Sequence, residues 1–431
     1  MATSQSTALT HTLTTLFPTP WLHAQARALG VVIRQRKVDG SALFWVLVFG
    51  FGLGKARSVA SLRRAYAAAT GVGLSAAAFY ERFTPALTSW LRAAVAEALQ
   101  ALASAGQPLP ARLASFRDLV LADATVVRLH ALLARTYPAC RTNHTRAAAK
   151  LHVVLSVAGV SPQRVRLTSE RVNERRVLRL GPWVAGRLLV MDLGYFKYAL
   201  FARIAHYGGY FLSRLKASAN PTIVAVHRRW RGQARAVVGQ PLRQVLAHLQ
   251  RAVLDVEVVV AVRRRWYCGR RRTGWQRFRV VAVRHPETGT YHVYLTNIPP
   301  TQLSAEDLRR TYAARWLVEL LFKELKSTYQ LDALPSGRQP VVETLLYTAI
   351  LALLVSRALW RVVQQWVAPT GRRVPPSRWA QVLRVATHDL LRHVLRAAGV
   401  PPPPEDLFAW LRREALDPNR SRRLLLDHLE A

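Results

Sequence analysis

The sequence predicts a mixed α/β protein, with strand-rich sequence in the middle of the chain and helical sequence at both ends. Three observations carry this. Residues 1–110 alternate helical patterns with short breaks, short β-type apolar runs take over from residue 118, and from 303 onward the pattern is helical again. Strands first and helices after are the mark of a mixed α/β domain.

The elements follow in order. "SVASLRRAYAAAT" (58–70), the break "GVG" (71–73) and "LSAAAFYERFT" (74–84) resemble a helix-turn-helix. Two readings stand: recognition of a DNA end by the second helix, or an ordinary helical hairpin on a core. "GQPLPAR" (106–112) reads as a linker. "DLVLADATVV" (118–127), "LHVVLSVAGV" (151–160), "RVRLTSERV" (164–172) and "GRLLVMDLGY" (186–195) read as strands, and 198–218 as a helix, a Gly break and a strand. Residues 221–300 form a separate block, an antiparallel meander of strands at 255–265, 275–285 and 290–299. Helices are expected at 304–329 and 339–366, and Pro-rich stretches punctuate a helical C-terminal region. The apolar runs 42–54 and 345–356 are shorter than the ~20 residues that span a bilayer, so both read as buried helices.

The totals narrow the function. The 431 residues carry 62 Lys+Arg against 24 Asp+Glu, a net charge of +38. Such an excess needs a polyanionic partner, and nucleic acid fits best. An anionic membrane surface fits less well, because the cations run through the whole chain instead of forming one amphipathic helix. Cys140 and Cys268 show neither a disulfide framework nor zinc spacing, which suits a reducing cytosol. The N-terminus lacks the pattern of a signal peptide.

Two acids interrupt apolar β runs. Asp123 sits inside one and Asp192 ends another, and Asp is a poor strand former that is costly to bury. Either Asp could cap a turn. Taken together, and with a presented Glu later on, a metal site is more economical. That Glu lies in "YAARWLVELLFKELK" (312–326). At about 100° per residue, Tyr312, Arg315, Glu319, Lys323 and Lys326 share an arc of about 80°, with Leu317, Val318, Leu321, Phe322 and Leu325 opposite. A plain Glu319–Lys323 ion pair at i,i+4 remains an alternative. Three carboxylates can hold two Mg²⁺ ions for phosphoryl transfer on DNA.

The spacing Y-x2-R-x3-E-x6-K at Tyr312, Arg315, Glu319 and Lys326 resembles the signature of the DDE transposases of insertion-sequence family four. "LADAT" around Asp123, "VMDLGYFKYALFARIAHYGGYFLSRLK" (190–216) and "YLTNIP" (294–299) resemble the family's other blocks. The similarity covers about residues 117–330. It implies an RNase H-like catalytic core with an inserted antiparallel β subdomain, flanked by helical N- and C-terminal regions. The first Asp would lie on the first strand, the second would follow the fourth strand, and the Glu would lie on a late helix. The division expected is 1–112 for DNA-end binding, 113–220 and 301–370 for the core, 221–300 for the insertion and 371–431 for a C-terminal helical region. The resemblance implies cut-and-paste transposition through a DNA hairpin. Asp123, Asp192 and Glu319 would be catalytic and bind two Mg²⁺ or Mn²⁺; Tyr312, Arg315 and Lys326 would grip the DNA end. It also implies DNA with terminal inverted repeats, a target DNA and a homodimer as partners.

Arg214 and Lys216, after the second Asp block, are further DNA contacts. "HRRWRGQAR" (227–235) and "RRRWYCGRRRTGWQRFR" (263–279) interleave cations with aromatics, as a strand-end binder needs, although a solvated Arg-rich face would look the same. Trp266 and Trp275 are candidates for stacking on a flipped base. His144, His152 and His206 have no ligand spacing and read as structural or surface residues. No Gly-rich phosphate loop implies a nucleotide cofactor. A cytoplasmic, nucleoid-associated enzyme is expected, with no membrane partner. The rivals are an inactive or domesticated DNA-binding relative and another RNase H-like nuclease or recombinase.

Overall fold

A computed structural model of the chain describes residues 2–33, 38–54, 58–103, 108–140, 145–227, 237–263, 273–332, 334 and 336–402. His144, Trp266, Cys268, most of 227–235 and the tail from 403 lie outside the described residues. The chain divides into two compact units, one of residues 1–98 and 324–431 and the other of residues 99–323.

The second unit is built on a nine-stranded sheet. Its strands are β1 (Asp118–Leu129), β2 (Ala147–Ser156), β3 (Ser161–Ser169), β4 (Arg187–Met191), β5 (Tyr210–Arg214), β6 (Thr222–Val226), β7 (Val253–Arg263), β8 (Thr273–Arg284) and β9 (Tyr291–Thr296). They lie in the order β3-β2-β1-β4-β5-β9-β8-β7-β6. β1–β4 and β4–β5 pair parallel, and every other neighbour is antiparallel. The parallel pairs need crossovers, and the helix Tyr198–His206 supplies the one between β4 and β5.

The strands of the 221–300 block form the expected meander, and it is not a separate sheet. β9 pairs with β5 and carries β8, β7 and β6 onto the edge of the first five strands. One apolar core crosses the junction. Phe201 stacks on Phe211 at 4.3 Å, and Phe211 meets Phe278 edge-on at 5.1 Å, so the crossover helix, β5 and β8 share a row of rings. Arg279, next to Phe278 on β8 and so on the other face of the sheet, is buried and donates to both carboxylate oxygens of Asp255 on β7, at 2.8 and 2.7 Å. Its remaining Nη1 donates to the carbonyls of Ile298 and Leu303, pinning the turn from β9 into the next helix.

The single helix expected at 304–329 is two, Ala305–Ala313 and Trp316–Ser327. The first is capped by Ser304, whose hydroxyl accepts from the Asp307 N–H. The N–H groups of Ala314, Arg315, Leu317 and Val318 each reach back three residues instead of four, and this tightened stretch separates the helices. A uniform 100° step therefore fails between Tyr312 and Glu319. Val318, Leu321, Phe322 and Leu325 are buried as expected, but Leu317 is 43% exposed.

In the helical unit, Val59–Thr70 begins with a reciprocal Ser58–Ser61 capping box and ends at Gly71, whose φ of 71° suits a glycine. The helix after it spans only Ala76–Tyr80 before a new one starts at Pro85, so a full-length recognition helix over 74–84 is absent. The run 42–54 is helical as far as Gly52, and its second half, Leu47–Gly52, is a π-helix. The run 345–356 belongs to a helix much longer than expected, Gln339–Val367. That helix is long and apolar enough to cross a membrane, but 89% of its most apolar window is buried, as in the core helix of a globular unit. Gly52 lets the two approach closely: a Cβ there would lie 2.4 Å from that of Ala352.

Candidate active site

The parallel register of β1 and β4 ends with Ala122 opposite Met191, so the next residues on the two strands, Asp123 and Asp192, are neighbours. Adjacent strands lie about 4.8 Å apart, which brings both carboxylates into one small region. Asp192 opens a short 3₁₀ turn at Leu193–Tyr195 but its side chain makes no capping bond, so turn capping does not account for it. The Asp123 carboxylate accepts from the Ala124 N–H at 2.8 Å. Burial raises the Asp123 carboxyl to about 6; Asp192 and Glu174 push the same way, against the Ala124 N–H and Arg315.

The helix pair that follows β9 brings in the rest. Arg315 ion-pairs with Glu319 at 2.6 Å and reaches Asp123 at 3.9 Å. Glu319 thus takes an i,i+4 partner on its N-terminal side. Tyr312 packs on Tyr294 of β9 with ring centres 5.3 Å apart. Burial lifts its phenol to about 12, with Asp192 adding to the rise and Arg315 and Arg214 opposing it. Arg214 is the last residue of β5 and pairs with Tyr294 across the sheet. So the structure gathers Asp123, Asp192, Tyr312, Arg315, Glu319 and Arg214. Lys216 is exposed in the turn after β5, and Lys326 sits in the last turn of the Glu319 helix.

Two residues that the sequence reading passed over stand beside these. Tyr294 supports Tyr312. Glu174, the first residue of the short helix Glu174–Val177, lies near enough to Asp123 and Tyr195 to disfavour charge on both. The scarcity of acids was the one signal pointing to Glu174; its sequence neighbourhood has no pattern.

Among the described residues no three acids, histidines or cysteines stand together closely enough to hold a metal ion as they are. The guanidinium of Arg315, reaching both Asp123 and Glu319, is the cation of this arrangement. The donor chemistry nonetheless suits a hard divalent ion: the acids are all carboxylates, and both the burial that raises Asp123 and the smaller repulsion from Asp192 and Glu174 are offset by such an ion. Elsewhere, Trp275 of β8 is 67% exposed, as a base-stacking residue requires, and Cys140 is a free, exposed thiol. His152 is buried and donates to or accepts from Thr168, in keeping with a structural role.

Paired carboxylates on two adjacent inner strands, an Arg between two late helices and a strongly basic chain fit a protein that acts on nucleic acid. The comparisons with known proteins then give the family. Residues 114–355 match the transposase DDE domain family, and the chain belongs to it. It is 21% identical over 362 residues to the transposase for insertion sequence element IS231B of Bacillus thuringiensis subsp. berliner, covering 78% of this chain and 76% of that one. It is 35% identical over 74 residues to the putative transposase InsL for insertion sequence element IS186A of Escherichia coli (strain K12), covering 17% of this chain and 20% of that one. Among solved structures it is similar to the piggyBac transposase synaptic complex with hairpin DNA, with a TM-score of 0.40 and 11% identity, covering 70% of this chain and 58% of that one.

Proposed function

We propose that this DDE transposase excises an insertion sequence by metal-dependent phosphodiester hydrolysis and joins it to target DNA by strand transfer, through a hairpin intermediate. The observation that carries the reading is the side-by-side placement of Asp123 on β1 and Asp192 after β4, with Arg315 and Glu319 arriving from the late helix pair, Arg315 in the link and Glu319 in the second helix. The strand order β3-β2-β1-β4-β5, antiparallel then parallel, supports an RNase H-like core, and β6–β9 occupy the place of the inserted subdomain. The five-part division at 112, 220, 300 and 370 is kept as a functional proposal, with the first segment binding the element end.

Asp123, Asp192 and Glu319 would hold two Mg²⁺ or Mn²⁺ ions. When bound, these lower the pKa of the attacking hydroxyl and stabilise the leaving oxygen. The chain's own residues do the rest. Arg315 must leave Glu319 as the site fills, and the DNA phosphate is its natural new partner, since guanidinium and phosphate pair bidentately. Tyr312, held against Tyr294 and kept protonated by burial, donates a hydrogen bond to a phosphate oxygen. Arg214, Lys216 and Lys326 would neutralise further phosphates and fix the register of the duplex. The exposed Trp275 would stack on an unpaired base. The partners are the terminal inverted repeats and a target duplex, bound by a homodimer in the cytoplasm.

The test is cleavage of a duplex carrying the inverted repeats that flank the gene. Asp123→Asn, Asp192→Asn and Glu319→Gln should each abolish Mg²⁺-dependent cutting while leaving DNA binding largely intact. A Glu319→Gln protein that cuts normally would overturn the assignment. If the wild-type chain binds the repeats but never cuts them, it is a DNA-binding relative.

A further inference from the structure

We infer that Glu174 is a positioning residue of the catalytic centre, which sets the turn carrying Asp192 by resting its carboxylate on Gly194. The inference rests on the assignment of Asp192 proposed above. Three observations carry it. The Glu174 carboxylate occupies the space beside Gly194: a Cβ built there would lie 2.6 Å from Glu174 Oε2. Lys150 of β2 holds the other oxygen, at 3.5 Å, with both side chains largely out of solvent. The neighbouring Arg175 donates to the Phe196 carbonyl at 3.4 Å, so the short helix grips both the middle and the far end of the turn that starts at Asp192.

Gly194 is therefore explained by space, not by backbone freedom. Its φ lies outside the left-handed region, so an alanine suits the local conformation. What an alanine meets is the tip of one flexible side chain. Gly194→Ala should fold normally and displace the Glu174 carboxylate. Within the turn, the Asp192 carbonyl accepts from the Tyr195 N–H at 3.0 Å, and Tyr195 is buried among the core side chains of the sheet. A shift of this rigid turn moves the Asp192 side chain. The charge of Glu174 also adds to that of Asp123 and Asp192, which favours a cation among them. Groups that orient metal ligands without touching the metal change metal affinity or activity by about 10- to 100-fold when altered.

The experiment is a double-mutant cycle on the full chain, read by Mn²⁺ affinity in an EPR titration without DNA and by Mn²⁺-dependent cleavage of the element end. Thermal melts check that each variant folds. Gly194→Ala and Glu174→Ala should each weaken Mn²⁺ binding by about 10- to 100-fold. The double variant should be no worse than Glu174→Ala alone, because the alanine then has nothing to displace. Additive losses, or unchanged Mn²⁺ affinity in Glu174→Ala, would overturn the inference. Asp192→Asn keeps the two readings apart. If it abolishes Mn²⁺ binding and cutting while the Glu174 variants do neither, the positioning role falls and the site stands. If Asp192→Asn binds and cuts normally, the site assignment itself falls.

Discussion

Arg279 offers the sharpest test of how the meander is tied to the helices that carry the site. Its side chain is 4% exposed and that of Asp255 is 9% exposed. The guanidinium makes four hydrogen bonds, two to Asp255 and one each to the carbonyls of Ile298 and Leu303. Arg279→Ala strands a buried carboxylate and frees two carbonyls. Losing one partner of a buried pair costs roughly 3–5 kcal/mol, because the remaining charge keeps its desolvation penalty. Replacing both partners, as in Arg279→Met with Asp255→Leu, removes that penalty and leaves the two unmet carbonyls, at about 1–3 kcal/mol each, a loss that Arg279→Ala also bears. The double variant should thus be more stable than Arg279→Ala. A chain of two units need not unfold in one step, so the readout is native-state hydrogen exchange at the β7 and β8 amides. Protection there should fall in Arg279→Ala and partly return in the double variant. A double variant less protected than the single one would refute the claim that stranded charge dominates.

Further predictions concern the site and its scaffold. Arg315→Ala should impair cleavage yet bind Mn²⁺ somewhat more tightly without DNA, because it frees Glu319 and Asp123; for pairs still partly open to solvent the gain should stay within about 1 kcal/mol, roughly fivefold. Weaker Mn²⁺ binding would mean that Arg315 helps to organise the acids and does not compete for them. His152 carries a pH effect. Burial, aided by Lys150 and Arg166, lowers its imidazole from 6.5 to about 4, so the folded state holds it neutral. Its contribution is complete above about pH 6.5 and is lost as pH falls toward 4, by roughly 3 kcal/mol at most. His152→Leu should flatten the fall in melting temperature between pH 7 and pH 4, and an unchanged slope would place the acid sensitivity elsewhere.

The strands were legible because their physics is local. An apolar run such as 118–127 or 186–195 buries side chains on a sheet where it pairs, and an Asp within it stands out against that pattern. The Ser304 cap is local in the same way, a hydroxyl just ahead of a helical run with Asp307 three residues on. Sequence could not say that β9 would pair with β5 and merge the 221–300 block into one sheet, since pairing partners are set by contacts far apart along the chain. It missed the division of 304–329 into two helices, because N–H groups that reach three residues back instead of four leave no mark in the residue types themselves. It missed Glu174 for a related reason. A glutamate in a four-residue helix has no pattern of its own, and only folding lays its carboxylate against Gly194. The sequence by itself determined which residues carry charge, bury or turn. The tertiary structure decided which meet, because a carboxylate's neighbours come from strand register and helix packing, neither of which is written at any single position.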